Sequence, residues 1–434
     1  MRKAGRRIPH LLAVLALAFT GCTGTFRASV NSSGSEANGG SYLPALDQTG
    51  RFVAFASDAS NLVAGDTNGV TDVFLRDVQQ GTTTLVSRAS NGALGNGAST
   101  KPDLSADGRY LLFTSEATNF VSNDDNNASD AFLRDLQTGT TRLVSKATDG
   151  GVANGTSIGV QLTDNGKEAL VLSDADNIAA NASSQQLYLA NPSKHTITRA
   201  TKVSLCPLHD SYHIASASMN GEATRIAYAV QCYGTEKDFV TPAEIVIAIR
   251  DRVAGTNTVA WTYPYELQPF DDHTVSSVSY ANDGSAVAWV LIHNFSVHGF
   301  EFTPYIRKPG HAAKVLPMEN QVTALALSPN GRSVLYRAPL PDYQSDMPTS
   351  KVKLFDIATA QSHFVSVNQY GQTDLDVPNG DSSGGTFSGD GKQIAFTSYA
   401  TDIVPDDTNN ASDVFRRPVD AVTAGSAGAQ RVSR

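Results

Sequence analysis

An all-β fold, a seven-bladed β-propeller of four-stranded antiparallel blades, is what this 434-residue sequence predicts, and three observations predict it. The first is a turn pair that recurs seven times: Thr49-Gly50, Asp107-Gly108, Asn165-Gly166, Asn220-Gly221, Asp283-Gly284, Asn330-Gly331 and Asp390-Gly391, with glycine spacings of 58, 58, 55, 63, 47 and 60. Asp-Gly and Asn-Gly tolerate positive φ, which makes them strong hairpin signals between alternating apolar residues. The second is that the flanks do alternate, as in "KPDLSADGRYLLFTS" and "ALALSPNGRSVLYR". The third is the lack of any long 3.6-residue amphipathic pattern after the N-terminus.

In chain order, Arg2, Lys3, Arg6 and Arg7 precede a short apolar run, Leu11 to Phe19. That run is shorter than the roughly 18 residues a spanning helix needs, so residues 1–21 read as a secretory signal peptide. It ends in "FTGC", Phe19 to Cys22, which resembles the lipobox of bacterial lipoproteins, with Phe19 where leucine is usual. The resemblance implies lipidation of Cys22 and attachment to a membrane surface without spanning it. Thr23 in place of aspartate after that cysteine implies the outer membrane, facing the periplasm. Residues 22–40, rich in Ser, Gly and Asn, read as a lipidated tether, and residues 41–434 as the propeller.

The chain has 33 Lys+Arg and 42 Asp+Glu. Residues 1–21 hold four of the bases and none of the acids, which leaves −13 on the mature chain. Such a surface repels phosphate backbones, so nucleic acid is excluded as an expected partner.

The second repeat shows all four strands of a unit, at Lys101 to Leu104, Tyr110 to Ser115, Asp130 to Leu136 and Thr141 to Ser145. Val, Thr, Phe and Leu dominate them, as half-buried strands require. Seven such units stack into a closed ring more readily than into a solenoid, which needs shorter repeats and caps. "PDLSADGRYLLFTS" and "DAFLRDLQTGTTRLVS" resemble the WD-like propeller repeats of TolB-type periplasmic proteins, closely over residues 41 to 148 and 385 to 417. The resemblance implies a protein-interaction propeller of the cell envelope. Proteins of that type carry a further N-terminal domain, for which this chain leaves no room, so their particular partners are not carried over. Two segments, Phe26 to Val30 and Gln430 to Ser433, echo the fourth-strand segment "TRLVS", and the C-terminal one is expected to complete the last blade.

Three loops between second and third strands are near copies: "GDTNGVTDVFLRD", "NDDNNASDAFLRD" and "DDTNNASDVFRR". Ser57 to Asp72, Ser115 to Asp130 and Ser398 to Asp413 are each fifteen positions apart. In a closed ring these loops adjoin on one face. Asp66, Asn68 and Asp72, with Asp124, Asn126 and Asp130 and with Asp407, Asn409 and Asp413, offer hard oxygen ligands that suit Ca²⁺. Val70 and Ala128 stand where a further ligand belongs and no bidentate glutamate follows. The alternative is that these side chains cap backbone N–H groups in an irregular turn, and the missing ligands favour it. The apolar pairs Leu62-Val63, Phe120-Val121 and Ile403-Val404 are expected to pin the loops inward.

Among other motifs, "GTSIG" around Ser157 has the spacing of a nucleophile elbow but sits at a blade entry, not at a strand-to-helix turn. "CPLHDSYH" places His209, Asp210 and His213 in an entry loop, a second candidate site for a transition metal or acid–base pair. Four-residue spacing joins side chains on a helix and not dependably in a loop. Cys206 and Cys232 are left even once Cys22 is lipidated, and hairpin pairing brings them to one edge, so a disulfide is expected. Tyr228, Trp261, Tyr263, Trp289 and Tyr305 read as packing between blades. The functional expectation is a monomeric, membrane-anchored propeller binding an envelope protein or peptide, with no cofactor beyond the calcium considered. The alternative is a lyase or hydrolase built on the histidine sector.

Overall fold

The computed structural model describes residues 24–427 apart from 180–184, 202–205, 207–210, 237–238, 265–271, 296–298, 319–321, 340–349 and 370–377. Seven four-stranded antiparallel sheets form the blades. The first strand of each blade touches the first strand of the next, and that of blade 1 (Ser41–Leu46) touches that of blade 7 (Ser382–Phe387), which closes the ring. Among the described residues a short helix, Val419–Ala427, follows the last strand and buries Val422 on the seam of blades 6 and 7.

Blade 2 shows why these residues make a blade. Its strands are Ser99–Leu104, Tyr110–Ser115, Asp130–Asp135 and Thr140–Leu143. Leu111, Phe113 and Phe132 are fully buried in a core shared with Ala45, Ala54 and Val73 of blade 1. Every blade thus covers its neighbour's face, and no sheet could stand alone. Cross-strand phenylalanine pairs repeat in the best-kept blades: Phe55–Phe74, Phe113–Phe132 and Phe396–Phe415, with ring centroids 6.0, 5.7 and 5.6 Å apart.

Ring closure differs from the sequence expectation. Blade 7 takes three strands from the C-terminal end, and Phe26–Arg27 supplies the fourth by pairing with Phe415 and Arg416. The folded body therefore starts before residue 41, and residues 26–40 are not a tether. Ser29 Oγ donates to Asp413 Oδ1 at 2.5 Å and accepts from the Val414 N–H at 3.0 Å. Gln430 to Ser433 lie outside the described residues, as do the signal segment and Cys22.

Blades 4 and 5 depart from the repeat in another way. Their second and third strands, Arg225–Glu236 with Phe239–Asp251 and Val287–Phe295 with Gly299–Arg307, run on as long ribbons where blades 1, 2 and 7 have acidic loops. Cys232 is inside its strand, opposite Tyr212, and not beyond the strand's end. It is bonded to Cys206, with Cα atoms 5.7 Å apart.

The hairpin tips between first and second strands form a second ring, of backbone bonds. Gln48 N–H donates to Ala106 O, Ala106 to Asp164 O, Asp164 to Gly221 O, Gly221 to Asn282 O, Asp283 to Pro329 O, and Asp390 to Gln48 O. The seam from blade 6 to blade 7 has no such bond among the described residues; Pro329 stands at the tip there and has no N–H to give.

One turn is misplaced by sequence pattern. In six blades the tip glycine has positive φ and donates to the residue three before it, as Gly108 does to Ser105 O. In blade 4 this place belongs to Ala223, at φ 50°, donating to Asn220 O at 2.8 Å; Gly221 has no positive φ. Gly221 is small for a different reason, since a Cβ there would lie 2.2 Å from Asp164 Oδ2 and 2.3 Å from Asn282 Oδ1. Those two side chains meet over it, the Asn282 amide donating to Asp164 Oδ2 at 2.9 Å.

Ala223→Gly relieves a left-handed L-residue, about 1 kcal/mol, but removes a methyl buried in the core, about 0.8 kcal/mol, so the thermal midpoint should stay close to that of the wild-type protein. Gly221→Ala should lower that midpoint, and an unchanged value would mean the tips do not pack as described.

Candidate functional site

The candidate surface is the face on which the second-to-third-strand loops of blades 7, 1 and 2 lie side by side. Antiparallel alternation puts the linkers between blades on the same face. The apolar pins hold the loops down as expected: Leu62, Phe120 and Ile403 are 2, 5 and 1% exposed.

Each loop makes one repeated set of bonds. The Asn68 amide donates to Asp72 Oδ2 at 2.8 Å and to Gly95 O of the following linker at 3.1 Å. Asp72 Oδ1 accepts from Ser87 Oγ at 2.5 Å, and Ser87 Oγ accepts from the Val73 N–H at 3.0 Å. In blade 2, Asn126 reaches Asp130 at 2.9 Å and Ala153 O at 2.6 Å, with Ser145 on Asp130 at 2.6 Å. In blade 7, Asn409 reaches Asp413 and Ala37 O, each at 3.0 Å, with Ser29 on Asp413. Asp72, Asp130 and Asp413 are fully buried. The carboxylate orients the amide, and the amide ties the linker down.

Blade 6 reaches the same result by other chemistry. Lys351, fully buried, occupies the place of Asp72, and its Nζ donates to Pro378 O at 2.5 Å and Gly380 O at 2.7 Å. Burial pushes its ammonium below the usual lysine range, offset by Asp381 and Asp402.

A second latch was missed in the sequence. Asn38, Asn96, Asn154 and Asn379, each before a glycine, accept through Oδ1 from the loop N–H groups of Ser60, Thr118, Asp176 and Thr401 at 2.9 to 3.1 Å. In return Asn61, Asn119, Asn177 and Asp402 accept from the N–H groups of those four residues. The repeated Asn-Gly of "ANGGS", "GNGAS", "ANGTS" and "PNGDS" was the available signal.

Within these fixed loops the outward groups are acidic. Residues 58–71, 116–129 and 399–412 together contain eight Asp or Glu and no Lys, Arg or His. Asp58, Glu116, Asp125 and Asp406 are exposed, and Tyr399 is 61% exposed. Asp58 Oδ1 accepts from Thr71 Oγ1 at 2.6 Å and from Tyr42 OH at 3.0 Å, which fixes a phenol beside the carboxylate. The linkers bring in the basic side chains Arg88 and Lys146.

Beneath the surface, burial raises several carboxyls. Asp130 and Asp407 are pushed up to about 6, Asp407 despite the opposing pull of Arg27. Asp103 is pushed to about 7 between the inner strands of blades 2 and 3, where it accepts from the Leu162 N–H at 2.6 Å.

The other sequence candidates do not converge. His209 and Asp210 lie outside the described residues, and His213 is exposed opposite Gln231. His273 and His293 do meet, with ring centroids 4.5 Å apart, but in an aromatic stack with Tyr263 between blades 4 and 5. His311 Nδ1 contacts Pro309 O in an exposed turn. Ser157 Oγ is buried 2.8 Å from Ser173 Oγ, the same pair that Ser41–Ser57, Ser99–Ser115 and Ser382–Ser398 make. Among the described residues no group of three His, Cys, Asp or Glu is placed to hold a metal ion.

No protein-family profile and no curated protein matches the sequence. Similar solved structures include TolB from Acinetobacter baumannii, at 18% identity and TM-score 0.36, covering 65% of this chain and 57% of that one. A prolyl endopeptidase is similar at 13% identity and TM-score 0.47, over 84% of this chain and 47% of that one. The β-propeller domain of Myceliophteria thermophila Cps50 (Swd1) is similar at 12% identity and TM-score 0.45, over 87% and 96%.

The raised carboxyls set a pH dependence. Their folded values exceed the unfolded value near 3.9, so between about pH 4 and 7 the native state holds more protons and stability falls as pH rises. Asp135, lowered to about 2 by Arg109, works the other way and loses its contribution only below that window. The thermal midpoint should be higher at about pH 5 than at about pH 7.5, and Asp130→Asn should flatten the difference. A midpoint that climbs over this interval would contradict the burial of these groups.

Proposed function

We propose that the face of blades 7, 1 and 2 is a docking surface for a basic segment of a protein or peptide of the cell envelope. The observation that carries this reading is the four exposed carboxylates, Asp58, Glu116, Asp125 and Asp406, on three adjoining loops whose own residues include no Lys, Arg or His. Charge of one sign concentrated on a rim steers an oppositely charged partner and raises its association rate. The two latches supply the second requirement, since loops held by side-chain bonds lose little freedom on binding. Tyr42 and Tyr399 add aromatic surface among the carboxylates, the residue type that interfaces favour.

In this reading the chain is exported, lipidated at Cys22 and held at the outer membrane facing the periplasm. The N-terminal strand then sits only a few residues from the anchor, which fixes the propeller close to the bilayer. A Cys22→Ala protein should leave the membrane fraction, and its continued sedimentation with membranes would remove the anchor.

Docking is tested by titrating the purified protein with a Lys/Arg-rich peptide and with its Glu-substituted counterpart. Binding should be seen only for the basic peptide and should weaken steeply with salt. Asp58→Lys with Asp125→Lys and Asp406→Lys should weaken it at least ~10-fold, the loss of about 1.4 kcal/mol. Equal binding of both peptides, or no effect of the triple reversal, would overturn the proposal.

A further inference from the structure

Blades 1, 2 and 7 carry an arginine at one place on the third strand, and blade 3 does not. Arg76, Arg134 and Arg417 each lie four residues after Asp72, Asp130 and Asp413. In blade 3 Gln186 takes the aspartate's place, accepting from Thr201 Oγ1 at 2.5 Å as Asp72 does from Ser87, and four residues on stands Ala190. In blade 2 Arg134 Nη1 donates to Arg88 O, Ala89 O and Thr141 Oγ1 at 2.8 to 3.2 Å. Its side chain thereby fills the cleft between that blade's outer strand and the linker from blade 1. The same cleft in blade 3 is open, a cavity of about 400 Å³, which lies within the range of ligand sites.

The substitutions that open the cleft also change its chemistry. Leu143, Ala147, Ile178, Ala190 and Ile197 give it an apolar lining. Ile197 stands where Thr141 stands in blade 2, so the hydroxyl that accepts from the guanidinium is gone. Ser90 Oγ caps the outer strand of blade 2, accepting from the Thr141 N–H at 2.9 Å and donating to Thr141 O at 3.1 Å, and Ser32 does the same on Thr83. The next linker has Thr148 there, and its hydroxyl goes to Asn177 O at 3.2 Å, so the edge at Ile197 lacks that cap. Lys146 and His195 line the cavity, and Arg142 joins them where it continues into an adjoining cleft of about 350 Å³. His195, at φ 55°, takes the place of Gly81 and Gly139 in blades 1 and 2. No Asp or Glu lines either cleft. Asp149, in the same linker, turns Oδ1 back to the Gly151 N–H at 2.8 Å.

We propose that this cleft binds the C-terminal residue of a peptide chain, one with a branched or aromatic apolar side chain. The side chain lies where the arginine lies in blade 2. The peptide N–H and C=O pair with Ile197 as the serine hydroxyl pairs with Thr141, and the carboxylate meets Lys146 and His195. Strand addition at an open edge and capture of a terminal carboxylate are both established modes of peptide recognition. A partner's guanidinium fits less well, because three basic side chains border the cleft and like charges oppose one another. The site is separate from the acidic docking surface and does not rest on it.

Calorimetric titration of the purified protein with acetyl-Ala-Leu, up to about 10 mM so as to exceed a Kd of ~1 mM tenfold, should show saturable binding. The C-terminal amide of that peptide should bind at least ~10-fold more weakly, the loss expected for a hydrogen bond between charged groups. Isocaproate, which keeps the carboxylate and the branched chain without the amide, should also bind more weakly. Ala190→Arg with Ile197→Thr, which installs blade 2's own filling, should abolish binding without lowering the thermal midpoint. Lys146→Met should weaken binding about 10-fold. No saturation by the wild-type protein would overturn the proposal, whether or not the variants fold. So would binding that Lys146→Met leaves unchanged. Equal binding of isocaproate would assign the cleft to free acids, and tighter binding of acetyl-argininamide would assign it to a guanidinium; either would overturn the proposal of a chain end.

Discussion

Seven sheets can cover one another's faces only if the first meets the last, and here a strand of two residues clamps that meeting. Phe26 and Arg27 pair with Arg416 and Phe415, Ser29 is shared between Asp413 and the Val414 N–H, and Arg27 reaches Asp407 and Glu36. Backbone pairing this short has little strength of its own, each bond contributing on the order of 1 kcal/mol net. The buried polar bonds around it fix the register and make the closure specific. Without it blade 7 would expose an edge, and blade 1 would lose the wall against which Phe55 and Phe74 pack.

Much of this was legible in the sequence, and the failures have physical causes. Tip turns, strand periodicity and the three copied loops are local features, repeated often enough to be read, and they place the acidic sector correctly. Cys206 and Cys232 were paired from the even count left after Cys22 and from hairpin geometry, and they are bonded. The closing strand was assigned to the wrong end because "FRASV" and "QRVS" carry the same strand signal, and nothing local distinguishes them. What decides is that residues 26–30 are followed by the same Asn-Gly linker, here Asn38-Gly39, that enters blades 2 and 3. Asn220-Gly221 was read as a turn because the pair usually is one. The turn lies two residues later, on Ala223, and Gly221 is small to admit neighbouring tips.

The comparison of blades 1 and 6 shows how little the identity of a residue says about its task. Asp72 with Asn68, and Lys351 alone, each present N–H donors to the carbonyls of the next linker. A carboxylate and an ammonium are opposite in charge, yet the linker meets the same donor. The carboxylate works by holding an amide in place, whereas the lysine reaches by itself. Copies of a motif are therefore better aligned by what they bond to than by what they are, and the same rule sets Ala190 beside Arg76 and Arg134.

Pro329 gives the ring a direction. Six seams are joined tip to tip by a backbone N–H, and at the seventh the proline ring carbon rests near Gly391 without a bond. That seam is held instead by an apolar cluster of Leu335, Val352, Phe396 and Phe415 and by Lys351 on Pro378 O and Gly380 O, so packing and one side chain do there what backbone does elsewhere.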